Sequence, residues 1–186
     1  EAEPITVADD EGVREDTTAE SLAALRPAFA KDGTITAGNA SPLSDGAAAV
    51  AVTSRAYAEE QGLEIVATIG AAGQTAGPKD SQLHSQPSDA ISAALARQGW
   101  DATDLDFIEI NEAFAAVGLQ SLTDLDYPAQ RCNIHGGAIA LGHPIGASGA
   151  RLALHAALEL GRRGSGRSAV ALCGGGGQGE ALVLFR

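Results

Sequence analysis

Apolar positions along the 186-residue chain change rhythm from segment to segment, and those changes mark out its elements. Residues 65–71, 106–110, 168–172 and 180–185 are short apolar runs of strand length. Between them, residues 87–98, 112–122 and 145–162 carry apolar side chains at three- and four-residue spacing, which predicts helices. Pro87 opens the first and Gly99 closes it. Leu154, Ala157, Leu158 and Gly161 mark the inward stripe of the third. Strands separated by helices predict crossover units and a mostly parallel, buried sheet. The last two strands are joined only by a short glycine loop, which predicts an antiparallel pair. Ala138–Leu141 is a further short apolar run and reads as a buried strand, with Gly142-His143-Pro144 forcing a turn before the helix at 145.

The first third of the chain is less regular. Residues 3–10 read as a short exposed strand. Thr17-Thr18-Ala19-Glu20 is a capping-box pattern ahead of a helix at 21–25, which Pro27 ends. Residues 36–43 form a loop of small polar residues. Residues 46–53 read as a buried strand, and 54–61 as a helix closed by Gly62. The pattern then shifts, placing a boundary near 62–64. Residues 73–86 read as a long Gly/Pro/Ser loop, and 131–135 as a short extended segment.

Composition narrows the class. Hydrophobic residues make up 45% of the chain, aromatics only 4%, and glycine occurs 23 times, so packing relies on small side chains and close backbones. The length suits one domain and part of another. A formal net charge of −12 argues against non-specific nucleic-acid binding. No run of 18 apolar residues could cross a membrane, and no secretory leader pattern opens the chain. Two cysteines do not make a disulfide framework, so a reducing compartment is expected, with any special cysteine catalytic. The opening Glu-Ala-Glu-Pro and the lack of Met read as the interior of a longer protein.

In sheets of crossover units, ligands bind beyond the carboxyl ends of strands. Asn111, His143 and Cys173 each follow a predicted strand. Taken singly, each has a structural account. Asn111 suits a helix N-cap, a lone His at a tight turn reads first as packing, and a Cys after Val-Ala-Leu reads as core. Three chemically useful groups at equivalent positions point instead to a site. His143, beside the positive end of a helix, suits a neutral imidazole that donates to developing negative charge. The run Cys173-Gly174-Gly175-Gly176-Gly177 exposes backbone N–H groups that would lower the thiol pKa and hold an oxyanion. Gly-X-Gly-X-X-Gly is not in its usual place and Gly-Lys-Ser/Thr is absent, which removes dinucleotide and phosphate-loop readings. A Cys-His hydrolase using Cys173 as nucleophile lacks an evident third, orienting group.

Gly-His-Pro-Ile-Gly-Ala-Ser-Gly-Ala-Arg (142–151), Asn-Glu-Ala-Phe-Ala (111–115) and Cys-Gly-Gly-Gly-Gly (173–177) together resemble the signature motifs of the thiolase family. Asp-Gly-Thr-Ile-Thr-Ala-Gly-Asn-Ala-Ser (32–41) and Ser-Asp-Gly-Ala-Ala-Ala (44–49) resemble a fourth. The similarity runs over essentially the whole chain and leans toward bacterial acetyl-CoA acetyltransferases. It implies an α/β thiolase-like fold, a mixed, mostly parallel five-stranded sheet covered by helices: one complete half-repeat plus the end of the other. Residues 1–43 would end the coenzyme A-binding loop region, 44–63 would be the last strand and helix of the N-terminal domain, and 64–186 would be the C-terminal domain.

The resemblance also implies roles. Cys173 would be the acid/base cysteine, while His143 and a water held by Asn111 would stabilise a thioester enolate. The Gly175 N–H would contribute to a second oxyanion hole. Arg14, Ser21, Phe29, Ala37, Ser41 and Leu43 fall where thiolases contact coenzyme A. The reaction would interconvert two acetyl-CoA with acetoacetyl-CoA and CoA, using coenzyme A thioesters as substrates with no metal or permanent cofactor. The acylated nucleophile would come from an N-terminal half, since Cys132 does not match that motif and reads as core. A degradative 3-ketoacyl-CoA thiolase and a non-catalytic coenzyme A-binding fragment are the alternatives. The complete enzyme would be a cytoplasmic homo-oligomer, dimer or tetramer. Ser81–Pro87 departs from the family's Met-Gly pattern before the proline and leaves acyl length open. His84 reads as an exposed loop residue, His135 stands where the family more often has Asn, and His155 reads as structural.

Overall fold

The structure, a computed structural model, describes residues 4–77 and 82–186. The predicted start of the chain at residues 1–3 and the stretch 78–81, including Ser81, lie outside the described residues.

Four strands form one sheet: β1 (Thr68–Ala76), β2 (Phe107–Ile110), β3 (Arg167–Gly174) and β4 (Gln178–Phe185), in the order β1-β4-β3-β2. β3 and β4 form the expected antiparallel hairpin, and β1 adds to β4 antiparallel with an irregularity between Ile69 and Ala72. Only β2 and β3 run parallel. The expected five-stranded, mostly parallel sheet is therefore a four-stranded mixed one among the described residues. The missing strand has two causes. Segment 131–135 reaches β2 through a single bridge, Ile108 to Cys132, because a 3-10 turn at Ala129–Arg131 and the left-handed Asn133 (φ 49°) break its extension. Ala138–Leu141 is a helical turn (α5), not a strand. Four apolar residues carry no period, and here the N–H groups of Leu141 and Gly142 close back onto the Gly137 and Ala138 carbonyls.

Period-two alternation divides the sheet between two layers of helix. Ile108, Ile110, Ala169, Ala171, Ala181 and Val183 face helix α3 (Gln86–Gln98) and helix α4 (Ala115–Asp124), where Ala90, Ile91, Ala94, Leu95 and Val117 meet them. Phe107, Val170 and Leu184 face the other way, against Leu152, Ala156 and Leu160 of helix α6 (Ser148–Arg163). Glu109 shares that second face and is fully buried. Helix α3 lies so close to β1 that a Cβ on Gly73 would run into the Ala90 carbonyl, which explains the small residues on both elements.

Several boundaries move. α4 starts at Ala115 with Phe114 at its N-cap, so Asn111 does not cap it and Glu112 is not in its first turn. α6 starts at Ser148, and residues 145–147 form a turn whose Ala147 N–H, with that of Ser148, bonds the Pro144 carbonyl. β1 reaches Ala76, into the predicted loop. His84 sits half-buried in a 3-10 turn at Leu83–Ser85 rather than in an exposed loop.

The N-terminal part is mostly exposed. The first helix, Ala19–Ala23 (α1), is capped one residue later than expected, with Thr18 and Ser21 making the reciprocal bonds. The second, Arg55–Glu60 (α2), follows Ser54 as predicted. Residues 4–10 and 46–53 are not strands. A strand needs a neighbour to satisfy its backbone, and no described segment pairs with either. Val50 and Val52, expected inside, are exposed.

Candidate active site

Residue Asn111 follows β2 directly, and its N–H bonds the Ala171 carbonyl, prolonging the parallel ladder by one residue. Its side chain is fully buried. The amide nitrogen lies 3.2 Å from His143 Nε2 and 3.4 Å from Nδ1. Its carbonyl oxygen is buried with no hydrogen-bond partner among the described residues.

Three features fix His143. The α5 turn delivers the chain through Gly142, whose φ of 99° and close approach to Ser44 leave no room for a side chain. Ser148, fully buried at the start of α6, places its Oγ 2.7 Å from His143 Nδ1. Burial, with the nearby Arg151 charge, holds the His143 pKa below its ordinary value, so the imidazole is neutral at neutral pH. An open cleft of about 460 Å³ is lined by Leu43, Ser44, Asp45, His143 and Ile145.

Asn133 and Glu112 hold the segment that leads to α5. Asn133 bonds β2 as a strand would, accepting from the Ile110 N–H and donating to the Ile110 carbonyl, both at 2.9 Å. It also donates to Glu112 Oε1 at 3.0 Å, and the Ile139 N–H donates to Glu112 Oε2 at 3.1 Å. A Cβ on Gly137 would collide with the Glu112 carboxylate. Glu112, read from the sequence as part of the first turn of the helix at 112–122, instead finds partners more than twenty residues away.

Cys173 is near the carboxyl end of β3, opposite Gly179. Ile110 pairs with Ala171, so Asn111 and Cys173 both extend from the same edge of the parallel pair. Burial pushes the Cys173 pKa up, against a smaller lowering from its own backbone N–H. The glycine run does not produce the expected depressed thiol, because desolvation outweighs that bond. Gly176 and Gly177 have φ of 95° and 77° and make the hairpin turn, which accounts for two of the four glycines. Gly175 is exposed with open space above it. Cys132 packs against the α3/α4 core as expected, its thiol pushed to about 12 by burial.

Among the residues assigned to coenzyme A, Ser41 is tied to the site: its N–H and hydroxyl both donate to the Ala113 carbonyl at 3.2 Å. The Phe29 ring sits edge-on to Phe114 at 5.8 Å and is otherwise exposed. Arg14, Ala37 and Leu43 are exposed, and Ser21 spends its hydroxyl on the α1 cap.

A polar cluster runs from buried Glu109 through half-buried His155 to exposed His135. Glu109 Oε2 approaches His155 Nδ1 at 3.1 Å without hydrogen-bond alignment, and His155 Nε2 meets His135 Nδ1 at 2.9 Å. Burial raises the Glu109 pKa from 4.5 to about 7, with Arg151 opposing the rise. His155 lies in mid-helix on α6, and its neighbours Glu109 and His135 were not foreseen.

Asn111 and Cys173 lie at the carboxyl end of the parallel pair, and His143, against Asn111, also lines the open cleft, so the residues that carry the resemblance to thiolases come to one end of the sheet. Comparison with known proteins agrees. Residues 63–186 match the family model "Thiolase, C-terminal domain" and residues 1–56 match "Thiolase, N-terminal domain". The chain belongs to the thiolase family. It is 64% identical to the probable acetyl-CoA acetyltransferase of Mycolicibacterium smegmatis, over 99% of this chain and 47% of that protein. The acetyl-CoA acetyltransferase of Pseudomonas aeruginosa is 49% identical over the same shares. Among solved structures, the Bacillus anthracis acetyl-CoA acetyltransferase superposes with a TM-score of 0.86 at 41% identity, covering 95% of this chain and 44% of that one. Human mitochondrial 3-ketoacyl-CoA thiolase in complex with CoA gives 0.85 at 39% identity, over 95% and 44%. The chain spans about half the length of the relatives it matches.

Proposed function

We propose that this chain is the C-terminal portion of an acetyl-CoA C-acetyltransferase that condenses two acetyl-CoA to acetoacetyl-CoA and CoA, reversibly. The observation that carries the reading is the 3.2 Å approach of buried Asn111 to a neutral His143, on the sheet edge that also bears Cys173. In the synthetic direction the Cys173 thiolate takes a proton from the acetyl methyl. The enolate oxygen accepts from His143 and from a water held by Asn111. The enolate carbon then attacks an acetyl group carried as a thioester on a cysteine of an N-terminal half. The Gly175 N–H contributes to holding the tetrahedral oxyanion. Collapse expels that cysteine thiolate and releases acetoacetyl-CoA. Burial raises the Cys173 pKa, so the thiolate is the scarcer form of a stronger base, and the condensation rate should rise with pH.

Arg14, Ser21, Phe29, Ala37, Ser41 and Leu43 are proposed to contact coenzyme A, with the anchoring of Ser41 and Phe29 to the Asn111 segment in support. Residues 1–43 would belong to the coenzyme-binding loops, 44–63 to the end of the N-terminal domain and 64–186 to the C-terminal domain. Exposed Leu43, Val52, Leu119 and Ile145 supply apolar surface for the N-terminal half. The intact enzyme would be a homo-oligomer in a reducing cytoplasm, in keeping with two free cysteines. A degradative 3-ketoacyl-CoA thiolase is a second reading, supported by the likeness to the human mitochondrial enzyme of that name.

The test is complementation. The chain fused behind the matching N-terminal half of the M. smegmatis relative, called below the completed enzyme, should cleave acetoacetyl-CoA with CoA. The 186-residue chain alone should not. Turnover by the chain alone, or none by a folded fusion, would overturn the reading. Faster cleavage of longer 3-ketoacyl-CoA substrates would favour the degradative alternative.

A further inference from the structure

We infer that Ser148 is a positioning residue that selects the His143 tautomer with its proton on Nε2, the form able to donate to an oxyanion. The inference rests on the proposed role of His143 as donor and deepens it.

The argument is one of proton counting. Ser148 Oγ lies 2.7 Å from His143 Nδ1 and 3.0 Å from the Pro144 carbonyl oxygen. A serine hydroxyl has one proton and can donate to only one of them. The Pro144 oxygen already accepts two backbone N–H groups, from Ala147 and Ser148, each at 2.9 Å. A carbonyl oxygen has two lone pairs, so its capacity is filled. The hydroxyl proton therefore goes to His143 Nδ1, the shorter contact. Nδ1 becomes the acceptor, and a neutral ring must then carry its proton on Nε2.

Asn111 leaves the choice of tautomer to Ser148: its amide nitrogen lies 3.2 Å from Nε2 and 3.4 Å from Nδ1, nearly equidistant and so in line with neither ring nitrogen. The opposite tautomer would make Nε2 a bare acceptor, useless against negative charge. Ser148 is buried at the start of α6, so no bulk water competes for Nδ1 from that side.

The test uses the completed enzyme with ¹⁵N-labelled histidine, alongside S148A and the near-isosteric S148C, whose S–H is a weak donor. In the wild type the His143 Nε2 should show the protonated-nitrogen signature and Nδ1 the bare one. Both variants should move the ring toward the Nδ1–H form. They should lower kcat about five- to tenfold, the scale of one lost hydrogen bond, with KM little changed. They should also raise the His143 pKa followed in the same spectra, because a bond donated to Nδ1 favours the neutral ring. A wild-type ring protonated on Nδ1 would overturn the inference, as would variants that keep the Nε2–H tautomer and the wild-type His143 pKa. If S148C matches wild type while S148A does not, the serine acts by packing and the inference fails. If the tautomer is as assigned but H143A keeps full kcat, the tautomer assignment survives and the donor role of His143 falls.

Discussion

Replacing Glu109 with glutamine should make the protein more stable as pH rises. Glu109 is fully buried on β2 and faces α6. The groups around it are Arg151 and His155 on α6, His135 and Cys132 on the segment beside β2, and Glu112 beyond the strand. Burial dominates and raises its pKa from 4.5 to about 7. A folded chain that holds this proton more tightly than the unfolded chain loses stability as pH climbs from about 4.5 to about 7, and the loss is complete above that. That rise corresponds to about 3 kcal/mol. A glutamine at this position would carry no charge at any pH and would escape the loss. Urea unfolding of the completed enzyme and its Glu109→Gln variant at pH 5, 6, 7 and 8 gives the difference directly. The variant's advantage should grow by about 2.5 kcal/mol between pH 5 and 8 and then level off. An advantage that does not change with pH, or that shrinks as pH rises, would refute the argument. His155 Nδ1 is too poorly aligned to hold the carboxylate, and burial with the Arg151 and Arg162 charges keeps its ring neutral.

Three further outcomes are expected of the completed enzyme. His143→Ala should lower the condensation rate by about 10²–10³ with a smaller change in KM, and His143→Asn should recover part of it. Unchanged thermal unfolding in the same samples would separate that loss from misfolding. Cys173→Ser should still accept an acetyl group on the N-terminal half, visible by mass spectrometry, yet fail to condense it; an unacetylated protein or a near-normal rate contradicts the base assignment. Gly137→Ala should cost about 1–3 kcal/mol in denaturant unfolding, because the new methyl group meets the Glu112 carboxylate; a neutral result would mean that Glu112 can move aside freely.

Much of the C-terminal region is legible in the sequence because its signals are local. Gly99 stops α3 in the left-handed conformation, with φ of 74°, a preference written in a single residue. β3 and β4 announce themselves by apolar runs on either side of a glycine turn, and a short link permits only an antiparallel pair. The motifs at 111–115, 142–151 and 173–177 identify the family without coordinates. Tertiary structure decided the rest, wherever a residue's state depends on distant neighbours. Val50 and Val52 have strand-like composition but no partner strand. Ala138–Leu141 is too short to declare a period, and bonds to Gly137 and Ala138 make it helical. The thiol of Cys173 sits above its ordinary pKa because burial, set by packing around β3, outweighs the nearby N–H. Glu112 and Ser148 acquire their roles from Ile139 and His143, and Glu109 its raised pKa from burial, all fixed only when α6 and the 133–141 segment settle on the sheet. Backbone conformation within a turn is a property of a few adjacent residues. Desolvation and proton ownership belong to groups that meet across the fold, and so they become readable only there.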